Sequence, residues 1–209
     1  MAATVFGCAS VLLSYPDRDF ASDLAAVQEA LERLPGTPAR SKLRAVFEWL
    51  TPMPVVEAAK TYVDVFDLSR GVCLYLTYYR HGDTRERGMA LTALVDAFRG
   101  AGFEVVPGEL PDYLPALLEL AATSTTGATV LGEHRMALDA LHAALVKKDS
   151  PYADVLAAVR SVLPGPSRKD RQALRRYRAE GPPSEKVGLE PFAPPETLGQ
   201  AVTIGATRR

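Results

Sequence analysis

The segment DTRERGMALTALVDAFRG, residues 83–100, has the most regular helical pattern in the chain. Its first four residues resemble a capping box, in which side chains satisfy the free amides of the first helical turn. Gly100 and Gly102 mark its end, because glycine readily adopts the left-handed conformation that closes a helix. We predict an amphipathic helix whose buried stripe is formed by Leu91, Leu94, Val95 and Phe98.

Segments with the same period lie on both sides of this helix. Four precede it, and the third of these starts at Thr37-Pro38, a pair typical of a helix N-terminus. Three follow it, and in the first of these we expect Asp112 to cap a helix that has Pro115 as its third residue, where the missing amide is not needed. We expect one long helix after Gly127 and another after residues 150–151.

The segment 68–79 fits two structures. Val72, Leu74 and Leu76 alternate as in a strand, whereas Val72, Leu76 and Tyr79 also share one helical face. Because no second strand is evident to pair with it, we predict a helix over Leu68–Tyr79. The chain has no internal repeat, so we predict an all-α fold, a single helical-bundle domain of eight or nine helices.

Charge is distributed unevenly along the chain. The 209 residues carry a net charge of −1 with a pI of about 6.3, so no overall field favours nucleic acid or anionic lipid. Residues 1–163 nevertheless hold 15 basic and 20 acidic side chains, while residues 164–209 hold 9 and 5 together with 7 of the 16 prolines. We predict an all-helical domain at 1–163 and a basic, proline-rich, flexible tail at 164–209, in which 168–179 has the composition of a short helix.

The sequence favours a cytoplasmic protein. Its longest uncharged run, residues 1–16, is shorter than a membrane span and has no basic residue before it, so we expect neither a signal peptide nor membrane insertion. Cys8 and Cys73 lie far apart without a secretory pattern, which is typical of a reducing compartment.

The sequence contains no motif for phosphate, dinucleotide or zinc chemistry. His134 and His142 lie eight residues apart, which turns them about 80° from each other on a helix and argues against a shared metal ion. We expect His134 to lie at the edge of the core with a backbone partner. The sequence therefore identifies no catalytic residue and no metal ligand. A metal-dependent hydrolase stays open as an alternative, and it would need several carboxylates or histidines that converge in the fold.

Aromatic and charged side chains alternate densely between residues 62 and 88. One interpretation is a corner of the bundle, where core aromatics meet helix caps and ion pairs. The other is the floor of a binding groove, because tyrosine and arginine combine a large contact area with polar tips that stay satisfied. The residues alone leave both interpretations open.

Two segments resemble a known family. They are YVDVFDLSRGVCLYLTYYRHGDTRERGMALTALVDAF, residues 62–98, and ELPDYLPALLELAA, residues 109–122. Both resemble the delta subunit of respiratory nitrate reductase, a branch of the redox-enzyme maturation proteins that is related to the chaperones of TMAO and DMSO reductases. The resemblance implies a TorD-like all-helical fold without catalysis.

The resemblance also implies a function. Such proteins act as assembly chaperones, which bind the unfolded or partly folded catalytic alpha subunit, or the alpha–beta complex, in the cytoplasm and recognise its N-terminal segment. They hold this client while molybdenum cofactor and iron–sulfur clusters are inserted, before it docks at the membrane. The chaperone itself is expected to hold no cofactor stably, to bind no nucleic acid and to form at most a weak homodimer.

A Glu-x-x-Asp-His signature marks the functional loop across the wider family. Glu109, Pro111 and Asp112 match this loop, and Tyr113 replaces the histidine that is usual in the TMAO and DMSO branch. The replacement fits the nitrate reductase branch. It also argues against an imidazole at this position in pH-dependent release.

We expect the client to lay an amphipathic segment into a groove between helices. The expected apolar lining is Tyr62, Phe66, Leu74 and Tyr78, and the expected polar rim is Asp67, Arg70, Arg85 and Arg87. Further candidates for contact are His81 and Asp83, together with the loop residues Glu109, Pro111, Asp112 and Tyr113. The alternative function is a helical module that senses a small ligand or regulates, with a dry apolar pocket and no client protein.

Overall fold

The computed structural model describes residues 1–69, 71–106 and 108–183, and within these ranges it confirms the all-α prediction. The described chain has eleven α-helices, a π-helical segment and no strand beyond one isolated bridge. The prediction of eight or nine helices is therefore wrong in number. The elements are α1 Ala2–Leu12, α2 Phe20–Arg33, α3 Pro38–Leu50, α4 Val55–Tyr62, the π-helical segment Val63–Asp67, α5 Tyr78–His81, α6 Arg85–Gly100, α7 Leu114–Thr123, α8 Thr125–Glu133, α9 Arg135–Lys147, α10 Tyr152–Val162 and α11 Arg168–Glu180.

Helix α1 is the centre of the bundle. It packs against α2, α3, α7 and α10, and it is apolar on most sides, as expected of a helix with neighbours all round. The hydroxyl of Ser10 donates a hydrogen bond of 2.8 Å to the carbonyl oxygen of Pro115, which joins α1 to the first turn of α7. The buried side chains of α1 are Val5, Phe6, Cys8, Ala9, Ser10 and Leu12.

The expectation of one long helix after Gly127 is wrong. Gly127 lies inside α8, where its amide donates to the Ser124 hydroxyl (2.9 Å), and the chain turns at His134 before α9 begins. A β-carbon at Gly127 would lie 2.4 Å from the carbonyl carbon of Leu120 in α7. Gly127 thus allows the backbones of α7 and α8 to pack closely together.

The helix predicted over Leu68–Tyr79 is also wrong. Only its last two residues are helical, as the start of α5, and Tyr75 instead forms an isolated antiparallel bridge with Tyr113. Val72, Leu74 and Leu76 are all buried, as their strand-like alternation indicates. The partner that the sequence seemed to lack is a short extended segment just before α7.

The described part of the predicted tail contains α11, close to the short helix expected at 168–179. Ser167 and Asp170 form a reciprocal capping box at its start. Its partly buried apolar side chains pack against the core of the bundle. Residues 184–209 lie outside the described ranges, so the division of the chain at 163 and the flexibility of the tail stay predictions.

Two glycines of α8 provide a matched test of this packing. We expect Gly127→Ala to lower the free energy of unfolding by about 2 kcal/mol, because its methyl group must push apart two helix backbones. Gly132→Ala meets no atom within 4 Å and should raise stability by about 0.5 kcal/mol through its better helix propensity. Urea unfolding of both variants measures the difference, and equal stabilities would contradict the close packing of α7 on α8.

His134, at the turn between α8 and α9, has the backbone partner that the sequence predicts. Its Nδ1 donates to the carbonyl oxygen of Val130 at 2.9 Å, and burial lowers the pKa of its imidazole below the ordinary value. The unfolded chain therefore binds a proton more readily, so stability should fall as the pH drops below about 6.5. We expect His134→Gln to flatten the decline in unfolding free energy between about pH 7 and 5. An unchanged slope would contradict this assignment.

Candidate functional site

The two segments that carry the family resemblance meet in the structure. The amide of Leu76 donates to the carbonyl oxygen of Asp112 (3.0 Å), and the amide of Leu114 donates to the carbonyl oxygen of Leu74 (2.8 Å). Between these bonds the rings of Tyr75 and Tyr113 lie with centroids 5.7 Å apart. We call this pairing of residues 74–77 with residues 112–114 the motif seam.

Asp112 is the buried centre of the motif seam. Its side chain is fully enclosed, and Oδ2 accepts hydrogen bonds from the Thr77 amide (3.2 Å) and the Thr77 hydroxyl. The Arg87 guanidinium lies 3.6 Å from the same oxygen. The expectation that Asp112 caps a helix is wrong, because Tyr113 occupies the N-cap position of α7. Asp112 instead fastens the loop before α7 to the turn before α5.

Arg87 connects this centre to the surface. Its Nε donates to the Thr77 hydroxyl (3.2 Å), and its Nη1 lies 3.4 Å from the exposed carboxylate of Asp83. The guanidinium carbon lies 5.9 Å from the centre of the Tyr78 ring, a cation–π contact. Arg87 therefore has a buried partner on one side and the accessible Asp83 and Tyr78 on the other.

The start of α6 differs from the predicted capping box. The Thr84 hydroxyl donates to the carbonyl oxygen of His81 at 2.8 Å, so it holds the preceding turn rather than the first amides of the helix. Nδ1 of His81 lies 3.4 Å from a carboxylate oxygen of Glu86. Residues 82–84 thus form a tight turn between α5 and α6.

A second set of contacts links tyrosines to the loop. The Tyr75 hydroxyl donates to Oε1 of Glu109 (3.3 Å), which also accepts from the Leu110 amide (2.9 Å). Burial, and then the Glu109 charge, raise the pKa of Tyr75 to about 12, so its phenol remains a donor at neutral pH. The hydroxyls of Tyr62 and Tyr113 lie 3.0 Å apart, and burial raises the pKa of both.

The structure buries most of the predicted apolar lining. Tyr62, Phe66 and Leu74 are 5%, 7% and 4% exposed, and the Phe66 ring packs between Tyr62 and Tyr152 with centroids 4.7 and 4.9 Å away. They belong to the core in this conformation. Tyr78 alone of the four predicted lining residues keeps substantial accessible surface.

The predicted rim is more dispersed. Asp67, which ends the π-helical segment, is exposed, as are Asp83 and Arg85 at the start of α6. Arg87 is mostly covered, and Arg70 lies outside the described residues. Pro111 is buried beside Asp112. The contacts gather the candidates Tyr78, Asp83, Arg87, Glu109, Asp112 and Tyr113 around the motif seam, and Tyr62 joins them through its hydroxyl.

Thr77 is the central residue that sequence reasoning missed. It is 1% exposed, and it makes direct hydrogen bonds to Asp112 and Arg87. A threonine among tyrosines gives no local signal for a partner 35 residues away. Tyr75 is one of several aromatic residues in the segment, and nothing in the sequence distinguishes it from the others.

Neither a metal-ligand cluster nor a membrane-spanning helix is present among the described residues. Within the described ranges, no group of three or more His, Cys, Asp or Glu side chains is arranged to hold a metal ion. No helix in the described part of the chain is long and apolar enough to cross a membrane.

The fold and the site define a helical-bundle protein in which a buried Asp–Thr–Arg group joins two sequence motifs. The family described as nitrate reductase delta subunit matches residues 20–158. The chain belongs to this family, as its two motifs indicate.

Two assembly chaperones and one nitrate reductase-like protein are among the similar proteins. The Bacillus subtilis (strain 168) probable nitrate reductase molybdenum cofactor assembly chaperone NarJ is 32% identical over 160 residues, or 76% of this chain and 87% of the relative. The Escherichia coli (strain K12) nitrate reductase molybdenum cofactor assembly chaperone NarJ is 33% identical over 69% of this chain and 63% of its own length. The nitrate reductase-like protein NarX of Mycobacterium tuberculosis (strain CDC 1551 / Oshkosh) is 40% identical over 74% of this chain, which spans about a quarter of the length of NarX (24%).

Substitution of the two carboxylates near Arg87, those of Asp112 and Asp83, tests how much the stability of the motif seam depends on Asp112. We expect Asp112→Ala to lower the free energy of unfolding by about 3 kcal/mol, because it leaves the buried Thr77 donors without their acceptor. Asp83→Ala removes an exposed partner of the same guanidinium and should change stability by less than about 0.5 kcal/mol. Chemical unfolding compares the two, and an Asp112→Ala effect as small as that of Asp83→Ala would show that the seam does not depend on this carboxylate.

Proposed function

We propose that the chain is an assembly chaperone for respiratory nitrate reductase, which binds the apo alpha subunit, alone or with the beta subunit, through its N-terminal segment. The observation that carries this proposal is the similarity to the Bacillus subtilis chaperone over 87% of that protein's length. The molybdenum cofactor and the iron–sulfur clusters are cargo for the client, and the chaperone holds neither. Its role is binding without catalysis, and its place of action is the cytoplasm.

The physical mode is recognition of an amphipathic helix by a groove. Burying three or four large client side chains contributes about 5 to 10 kcal/mol before association and ordering are subtracted. The net affinity is therefore moderate, which suits a chaperone that must hold its client and later release it. A weak homodimer is compatible with this role.

The accessible side of the motif seam supplies the polar and aromatic contacts. Tyr78 offers an aromatic face that Arg87 holds in place, and Asp83 offers an exposed carboxylate beside it. Arg85 and Asp67 extend the charged rim. The buried members of the set, above all Asp112, Tyr62, Phe66 and Leu74, act by holding these groups in position.

Calorimetric titration with a synthetic peptide of the alpha-subunit N-terminal segment tests the proposal. We expect saturable heat with a dissociation constant of about 1 μM, and no heat from a scrambled peptide of the same composition. Absence of binding by the intended peptide would overturn the proposed function.

A variant pair locates the contact. Tyr78→Ala should weaken peptide binding about five- to ten-fold, because it removes the accessible aromatic face of the seam. Val56→Ala truncates an exposed apolar residue of α4 outside both motifs and should leave the affinity unchanged. Equal affinities for both variants would place the client away from the motif seam.

A further inference from the structure

Helix α11 lies in a groove of the body formed by α5 and α9. It turns Ala173, Leu174 and Tyr177 toward the core, and the rings of Tyr177 and Tyr79 pack with centroids 5.4 Å apart. Tyr79 is a rigid platform for this contact, because its hydroxyl donates to the Cys73 carbonyl oxygen and accepts from the Cys73 amide, each at 3.0 Å. The chain thus lays an amphipathic helix of its own into a groove of the body.

The chain after α11 reaches the candidate site. Gly181 has a φ of +79° and ends the helix, and Pro183 then approaches the backbone of Gly82. A β-carbon at Gly82 would lie 1.7 Å from the carbonyl oxygen of Pro183, so the two backbones are in direct contact. Gly82 immediately precedes the rim residue Asp83. Residues 168–183 therefore cover the side of the groove that adjoins the motif seam.

The fit of α11 in this groove is incomplete. A solvent-open cleft of about 690 Å³ lies between α11 and the body. No residue of α11 is fully buried, in contrast to the eight buried residues of α9 below it. Residues that line the cleft include Tyr79, Arg80, Glu86, Met136, Tyr177 and Pro183.

Helix α11 has local sources of stability that do not depend on docking. Its capping box and an Arg176–Glu180 pair at 2.9 Å lie within the helix itself. A helix of 13 residues remains marginal alone, so shallow packing on the body is what keeps it ordered.

The basic side chains of α11 are exposed. The helix carries six basic and two acidic residues, while residues 1–163 have an acidic excess. An ion pair joins the helix to the body, with the Asp170 carboxylate 3.7 Å from the Arg80 guanidinium. The basic side chains otherwise point away from the core, so a helix of similar charge could replace α11 without leaving a buried charge unpaired.

We propose that the α5–α9 groove is the surface on which the client helix docks, and that α11 is its internal occupant, which the client displaces. This inference rests on the proposed chaperone function and assigns its binding surface. The partner is an amphipathic helix with an aromatic or aliphatic stripe and a basic outer face, the chemistry that α11 itself presents. Displacement lowers the apparent affinity for any client, because only the fraction of molecules with α11 released can bind.

Hydrogen exchange of the full chain, with and without saturating alpha-subunit peptide, reads the state of α11 directly. We expect amides 168–180 to exchange at least about five-fold faster when the peptide is bound, while amides of α5 and α9 become more protected. Peptide binding with unchanged exchange of α11 would overturn the displacement and leave the chaperone proposal standing.

A full-chain variant gives the second measurement. Leu174→Ala with Tyr177→Ala weakens the docking of α11 and should tighten peptide binding about three- to ten-fold. The control, Arg178→Ala, lies on the exposed face of the same helix and should leave affinity unchanged. If the double variant binds the peptide and the unmodified chain does not, this result also supports displacement. Weaker or equal binding by the double variant would overturn it, and absence of binding by every form would overturn both this inference and the chaperone function.

Discussion

The site depends on one buried carboxylate. Asp112 lies fully enclosed, and its Oδ2 receives both donors of Thr77 while the Arg87 guanidinium lies nearby. An isolated buried charge is strongly unfavourable, so this arrangement is stable only while the three residues stay together. It joins a loop before α7 to a turn before α5 across 35 residues of sequence. Two segments that are separate in the chain thereby become one surface.

The rest of the bundle makes that surface possible. Central α1 and its neighbours form the apolar core, and α7, which follows the loop, packs against both α1 and α8. The buried Phe66 ring packs against Tyr62, and the Tyr62 hydroxyl contacts the hydroxyl of Tyr113 at the end of the loop. The residues expected to bind the client thus divide into a buried group, which belongs to the core, and an exposed group, which we propose makes the contacts.

Local signals in the sequence predict much of this fold. Thr37 caps α3 through the Arg40 amide with Pro38 at the first helical position, as the residue pair indicates. The short basic helix is found within one residue of its predicted end. Both features depend on residues that lie within one or two helical turns of each other. The local sequence pattern is therefore enough to predict them.

Long-range contacts explain what the sequence did not reveal. Leu74 and Leu76 alternate as in a strand, but their partner is a segment too short to show a pattern of its own. Asp112 has the residue type and the place of a helix cap, and only the folded chain brings Thr77 to it. The packing of Tyr177 on Tyr79 is likewise invisible to periodicity.

The motif seam depends on the coupling between Asp112 and Thr77, and a double-mutant cycle measures this coupling most directly. The unfolding free energies of Thr77→Val, Asp112→Asn and the double variant, compared with the unmodified chain, give the interaction energy of the pair. The structure predicts a favourable coupling of about 1 to 3 kcal/mol. A coupling of zero within error, with the two substitutions simply additive, would contradict the view that this contact joins the two motifs.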